Sequence, residues 1–326
     1  MRAVLCKEYG PPESLVVEDV PSPRPGKGQV KIGVHACGVN FPDTLIIEGK
    51  YQFKPEMPFS PGGEVSGEIL EVGEGVSGYK PGDRVIGMTG WGGFAEEVVA
   101  DANRIMPLPD SMDYVTGAGF TMTYGTSLYA LKQRAHLATG ENLLVYGASG
   151  GVGLAAVELG KTMGARVIAA ASTDEKLQVA KEHGADELVN YSKDKIRDAV
   201  KGLTDGKGAD VIYDPVGGDA FDEALRCINW EGRLLVIGFA SGRIPQAPAN
   251  LILLKGCQVV GVFWGSWTAR EPKANAENFR QLFQWHAEGQ LHPLISGQYP
   301  LEKAADALNA MLGRKVTGKV VLTTGR

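Results

Sequence analysis

Apolar and polar positions change rhythm near residue 120. Before it, short apolar runs alternate with turn signals: Ala3-Val4-Leu5, Leu15-Val16-Val17, Val30–Val34, Gly67–Val72 and Arg84-Val85-Ile86, punctuated by Pro-Gly pairs at 25–26, 61–62 and 81–82. Such spacing predicts a compact, mostly antiparallel β domain. From about residue 125 the rhythm becomes strand, helix, strand. Predicted strands are Asn142–Tyr146, Arg166–Ala171, Leu188–Asn190, Asp210–Asp214, Arg233–Phe239 and Gln258–Trp264. Between the first two, Val152, Ala155, Ala156, Leu159 and Met163 fall on one helical face. A second helix starts at Thr173 or Asp174, either of which can cap it. Alternating strand and helix implies a parallel sheet covered on both faces, so the class is α/β. An amphipathic helix around Asn278–Glu288, a helix Glu302–Leu312 and a strand Lys319–Leu322 complete the chain.

The chain has 326 residues, 44% of them hydrophobic, which suffices for about two domains. Glycine is unusually abundant at 44 residues, while proline is ordinary at 18, so the excess is neither collagenous nor linker-like. A net charge of −5 argues against a broad nucleic-acid or anionic-membrane surface. The first ten residues carry Arg2, Lys7 and Glu8 and no long apolar run, and the longest apolar stretch, Leu143–Val157, is broken by glycines and too short to span a bilayer. Cys6, Cys37, Cys227 and Cys257 lie far apart without zinc spacing, so reduced thiols in a cytoplasmic protein are expected.

The strongest motif is Leu143-Leu144-Val145-Tyr146-Gly147-Ala148-Ser149-Gly150-Gly151-Val152-Gly153. An apolar strand enters a glycine-rich turn and an amphipathic helix leaves it. Backbone N–H groups at such a turn can approach a pyrophosphate, helped by the helix dipole. This expectation covers Ser149, Gly150, Gly151 and Val152. Ala148 replaces the first glycine of G-x-G-x-x-G, but the strand–turn–helix context is the required one. The acid that would hold a free ribose hydroxyl is due at the end of the second strand, where Ala171 and Ser172 stand instead. Lys176 follows, able to meet a 2′-phosphate as a point charge or to be an ordinary solvated helix lysine. The pattern favours NADPH over NADH.

These motifs, together with Gly38-Val39-Asn40-Phe41-Pro42-Asp43, Pro61-Gly62-Gly63-Glu64-Val65-Ser66-Gly67, Pro81-Gly82-Asp83-Arg84-Val85 and Asp214-Pro215-Val216-Gly217-Gly218, cover essentially the whole length. The chain resembles the zinc-independent, ζ-crystallin-like quinone oxidoreductases of the medium-chain dehydrogenase/reductase superfamily. The resemblance implies a GroES-like catalytic domain from residues 1–122 and 266–326, with a Rossmann domain, 123–265, inserted and NADPH between the two. It also implies a homodimer, often formed through the strand at Gln258–Trp264. Zinc-dependent relatives carry a cysteine at Asn40, a histidine at Gly63 and a third ligand near Ala118; none is present here, so no metal is expected. Cys37 reads as a packed thiol. Without Lewis-acid help the fitting reaction is hydride transfer to a quinone or conjugated carbonyl.

By the same resemblance Tyr51, Asn40 and Asp43 line the substrate side. Asn40 can hydrogen-bond a carbonyl oxygen, and Tyr51 matches the proton donor of enoyl-thioester reductases, with plain aromatic packing as the alternative. Asp43 fits a structural bond to backbone or Arg84 at least as well as a catalytic one. On the cofactor side the matches are Thr126, Tyr191, Gly238, Phe239, Phe263, Trp264, Arg314 and Lys319, each also readable as core or surface. Two further activities stay open: enoyl-thioester reduction, and NADPH binding without turnover.

Overall fold

The computed structural model describes residues 1–326. The chain begins with β1 (Arg2–Leu5), β2 (Val16–Asp19) and β3 (Gln29–Gly38), then α1 (Phe41–Ile46), β4 (Glu64–Val72), β5 (Arg84–Met88), β6 (Glu97–Asp101), β7 (Ile105–Pro107), α2 (Tyr114–Ala118) and α3 (Thr121–Leu128). The alternating part follows: β8 (Asn142–Tyr146), α4 (Gly151–Thr162), β9 (Arg166–Ala171), α5 (Asp174–Glu182), β10 (Glu187–Asn190), α6 (Ile196–Leu203), β11 (Ala209–Asp214), α7 (Asp219–Cys227), β12 (Ile228–Val236), α8 (Ala249–Lys255), β13 (Gln258–Gly261), α9 (Trp264–Arg270) and α10 (Pro272–Ala287). It closes with β14 (Ile295–Pro300), α11 (Ala304–Leu312) and β15 (Lys319–Thr323).

Two compact units result: Met1–Met122 with Pro293–Arg326, and Thr123–His292. In the first, a seven-stranded sheet runs β14-β15-β3-β4-β5-β7, with β6 also paired to β3, and β1 and β2 form a separate antiparallel pair. Only the β14–β15 pairing in this sheet is parallel. Its core gathers Val30, Ile32, Val34 and Val65 from the strands with Ala307 and Leu308 of α11. Mixing glycine with apolar residues is what allows this close pleating: at Gly67 a β-carbon would meet the Gly33 carbonyl oxygen at 2.0 Å.

The second unit is a six-stranded parallel sheet in the order β10-β9-β8-β11-β12-β13. Strand order reverses between β8 and β11, the place where dinucleotides bind in such sheets. Leu144, Tyr146, Ile168 and Ala170 pack beneath α6 and α7 on one face. On the other, Gly160 brings α4 so close that a β-carbon there would lie 2.5 Å from Leu143. Both alternate sets along β8 are fully buried, which explains its uninterrupted apolar run.

β8 and β9 match their expected limits. Other boundaries differ. β12 ends at Val236, so 237–239 leave the sheet as loop, and β13 stops at Gly261 because α9 starts at Trp264. Residues 266–292, expected in the catalytic domain, pack in the second unit instead. The reason is specific polar and aromatic contact: Asn278 of α10 accepts hydrogen bonds from Lys132 and Gln133, and Phe279 packs against Trp264. β6, β7 and β14 had no clear apolar signal. No helix is long and apolar enough to cross a membrane.

Candidate active site

In the first unit the site geometry begins at the end of β3. Asn40 caps α1, and Asp43, three residues on, reaches back: its Oδ2 accepts the Asn40 N–H at 2.7 Å and its Oδ1 accepts the Gly62 N–H at 3.2 Å. This capping box ties the 40–43 segment to the 61–63 turn. Burial pushes the Asp43 carboxyl up to about 6 against those hydrogen bonds. Glu64 is fully buried at the start of β4; its Oε1 accepts the Met122 N–H at 2.7 Å and its Oε2 accepts the Asn40 Nδ2–H at 3.1 Å. Lys319, from β15, completes the set. Its ammonium donates to Asn40 Oδ1 at 2.6 Å and to the Val39 carbonyl at 2.8 Å, and stands 3.5 Å from Glu64 Oε2.

This network corrects one expectation. Lys319 is 6% exposed and its ammonium is held inside the first unit, so it is not a cofactor contact. Asn40 has both ends of its amide engaged, and of the two structural partners open to Asp43, backbone and Arg84, it takes backbone N–H groups. Tyr51 remains. It is half-buried, packs on the core and meets Phe53 edge-on at 5.7 Å. Burial, then the nearby Asp43 charge, raises its phenol above the ordinary range, so it stays a hydrogen donor.

The donor set does not fit zinc. An amide, two carboxylates and an ammonium meet here, and the ammonium occupies the same oxygens a metal would need. Burial, with the Asp43 and Glu64 charges, pushes the Cys37 thiol well up and away from a ligating thiolate. No group of three or more His, Cys, Asp or Glu side chains converges anywhere in the chain.

The second unit supplies a dinucleotide cradle. Gly147 has φ +57°, turning the chain sharply after β8, and its carbonyl accepts the Gly150 N–H at 2.9 Å. A β-carbon at Gly153 would lie 2.1 Å from the Gly147 oxygen, so glycine there lets helix meet strand. At Gly150 the nearest atom would be 3.4 Å away, which leaves open room on the side a phosphate approaches. Gly150 is the N-cap of the 12-residue α4 and has no side-chain cap, so the first N–H groups of α4 are available to an anion. Ser127 steadies that turn: its hydroxyl donates to the Val152 carbonyl at 3.0 Å and pairs with the Tyr213 hydroxyl at 2.8 Å. Thr126 is its half-buried neighbour. A pyrophosphate fits these residues.

Ser172 and Tyr191 follow the ends of β9 and β10, and Lys176 lies in the first turn of α5. The Ser192 hydroxyl donates to the Ser172 carbonyl at 2.9 Å, the Tyr191 N–H donates to Ala171, and Thr173 caps α5 by accepting the Lys176 N–H. Asp174, the acid nearest this point, is tied to Lys193 and Asn190, which hold its carboxyl below the ordinary range. At the far end of the sheet Gly238 and the half-exposed Phe239 follow β12, with the Phe239 ring against Gly217. Phe263 is 50% exposed beside them in the same cleft wall. Trp264 differs from expectation: it is buried, donates its indole N–H to Asn275 at 3.1 Å and packs on Gly125, so it belongs to the core. Arg314 is exposed in the first unit, with φ +54° just after α11.

Sequence reasoning missed Glu158. It is 3% exposed on α4 and accepts from the Tyr124 hydroxyl at 2.6 Å and from the His292 N–H at 3.2 Å, with His183 Nδ1 also bound. The signal was present: a lone acid between Val157 and Leu159 in an otherwise apolar helix.

Comparison with known proteins agrees with both units. Residues 26–110 match the alcohol dehydrogenase GroES-like domain, and residues 151–286 match the zinc-binding dehydrogenase domain. A quinone oxidoreductase-like protein 2 homolog of Nematostella vectensis is 45% identical over 327 residues, 99% of this chain and 89% of that protein. Human quinone oxidoreductase is 37% identical, over 99% of this chain and 97% of that protein. The crystal structure of Escherichia coli quinone oxidoreductase complexed with NADPH superposes with a TM-score of 0.93 at 27% identity, covering 99% of this chain and 100% of that one.

Proposed function

Since the chain belongs to the quinone oxidoreductase family of the medium-chain dehydrogenase/reductase superfamily, we propose that it is an NADPH-dependent reductase of quinones that works without a metal ion. The observation that carries this reading is the turn at Gly147–Gly153, with room for a phosphate at Gly150, read beside an ammonium network where zinc-dependent relatives hold their metal. The E. coli relative's complex with NADPH supports the same cofactor here.

When bound, the nicotinamide supplies a hydride to the acceptor. The amides of the α4 N-terminus would hold the pyrophosphate, and Ser172, Lys176 and Tyr191 would receive the 2′-phosphate. Tyr51 keeps its proton at the phenolic oxygen and donates it to an acceptor oxygen or carbon. Hydride plus that proton makes a hydroquinone from a quinone, and solvent restores the phenol. Lys319, Glu64, Asn40 and Asp43 hold the Tyr51 side of the site in shape. The four cysteines are buried and unpaired, which supports a reducing, cytoplasmic setting.

The test is turnover of NADPH and NADH by the purified protein with simple quinones and with crotonyl-CoA. We expect quinone reduction with NADPH favoured about tenfold or more over NADH, a preference lost in Lys176→Ala. Tyr51→Phe should lower kcat about 100-fold. Failure to oxidise NADPH with every quinone overturns the reading. The match of Tyr51 to the proton donor of enoyl-thioester reductases supports one second reading, enoyl-thioester reduction, and faster turnover of crotonyl-CoA than of quinones, abolished in Tyr51→Phe, would decide for it.

A further inference from the structure

Glu158 is a buried acid that the reductase reading leaves without a task. It stands on α4, 3% exposed, beside Ala155, Ala156, Val157 and Leu159. Packing alone would be served by an apolar side chain there. A buried carboxylate costs free energy unless its oxygens are satisfied, and here each oxygen takes two contacts. The Tyr124 hydroxyl donates to Oε2 at 2.6 Å, His183 Nδ1 donates to Oε1 at 2.5 Å, and the His292 N–H is shared between the two oxygens at 3.2 Å. Burial, then the Glu158 charge, holds the Tyr124 phenol well above the ordinary range, so it is the donor.

These partners come from segments far apart in the chain. Tyr124 lies in α3, His183 follows α5, and His292 is the last residue of the second unit. Tyr124 is the second residue of that unit, so one carboxylate fixes the chain where it enters and where it leaves. α3 is thereby held on α4 at two points. Ser127 joins the Val152 carbonyl at 3.0 Å beside the glycine turn, and Tyr124 joins Glu158 about two turns further along α4. One anchor would let α3 pivot; two fix its rotation and register. Thr126 lies between them, half-buried. Gly125, next to it, is set so close to the Trp264 ring that a β-carbon would come within 2.7 Å.

We propose that Glu158 is a positioning residue for the nicotinamide half of NADPH: it locks α3 onto α4 and so holds Thr126 where the nicotinamide amide would be met. The inference rests on the NADPH-dependent reading and on the expected place of Thr126. With its oxygens engaged inside the unit, Glu158 acts through Tyr124.

The experiment measures Kd by calorimetry for NADPH and for 2′,5′-ADP, a fragment without the nicotinamide half. It uses the wild type, Tyr124→Phe, Glu158→Leu and Glu158→Gln, each checked by a urea melt. Tyr124→Phe removes one hydroxyl and keeps the ring, so it carries the test if Glu158→Leu does not fold. Losing an oriented contact at the nicotinamide corresponds to about tenfold in affinity. Tyr124→Phe and Glu158→Leu should therefore weaken NADPH about tenfold and leave 2′,5′-ADP within about twofold of the wild type. They should also lower kcat with 1,4-naphthoquinone about tenfold or more, because a misplaced nicotinamide is a poor hydride donor. Glu158→Gln should restore most of both losses, since its carbonyl can accept from His183 and His292 while its amide donates to the Tyr124 oxygen. A role in stability alone would lower the urea midpoint and leave both affinities unchanged. That outcome would overturn the inference, as would equal weakening of NADPH and 2′,5′-ADP. A wild type that binds NADH and not NADPH overturns the cofactor choice only, and the same comparison with NADH and ADP then decides this inference. A wild type that binds neither dinucleotide overturns both.

Discussion

Asp43 is where burial most plainly competes with hydrogen bonding. Its carboxyl, pushed up to about 6, binds a proton more tightly in the folded chain than in the unfolded one, where the ordinary value is 3.8. Its contribution to stability is therefore greatest below pH 3.8 and is lost as pH rises through about 6. Thermal melts of Asp43→Asn should gain on the wild type between pH 4 and 6 and hold a constant offset above 7. A constant offset throughout would show that the carboxyl does not titrate there. Tyr146 offers a second residue-level test. Its hydroxyl is buried without a partner, a state that costs about 1–3 kcal/mol. Tyr146→Phe should leave stability in urea unchanged or raise it by about 1 kcal/mol; a loss of that size would reveal a partner. Neither residue's situation is written in its neighbours along the chain. Asp43 is buried by the 61–63 turn, and the Lys319 beside Asn40 comes from the last strand.

At the scale of elements, the β8–turn–α4 unit was legible because local physics sets it: an apolar run, glycines where the chain must turn, and a helical apolar face. The two outer glycines of the motif nevertheless have different jobs. Gly153→Ala puts a β-carbon against the Gly147 carbonyl and should destabilise the fold by about 1–3 kcal/mol. Gly150→Ala meets nothing closer than 3.4 Å. It should keep the wild-type urea midpoint while weakening NADPH binding about tenfold or more, as read by fluorescence titration. If both variants lose stability alike, the room at Gly150 is not reserved for a ligand. Strands such as β6, β7 and β14 escaped sequence reading because they are short and partly exposed and are defined by their partners, β3, β5 and β15, not by their own pattern.

At the scale of the molecule, β13 is an outer strand of the parallel sheet, and apolar side chains lie exposed in its neighbourhood: Trp230 is 65% exposed, Leu253 79% and Leu254 71%. Open strand edges beside apolar surface invite pairing with another copy, so we expect a homodimer through this edge. Sedimentation should give twice the chain mass, and Leu253→Glu with Leu254→Glu should yield monomer; a wild-type monomer would end that expectation. The amino-acid sequence by itself determined the α/β class, the parallel strand–helix alternation, the glycine turn and the absence of a ribose acid, because each depends on neighbours a few residues apart. Tertiary structure alone decided that Lys319 belongs with Asn40 and Glu64, that residues 266–292 pack with the second unit, that Trp264 is core, and that Glu158 gathers Tyr124, His183 and His292. In each of these the partners are brought together by packing rather than by spacing, and a side chain's charge or ring has no fixed role until its partner is known.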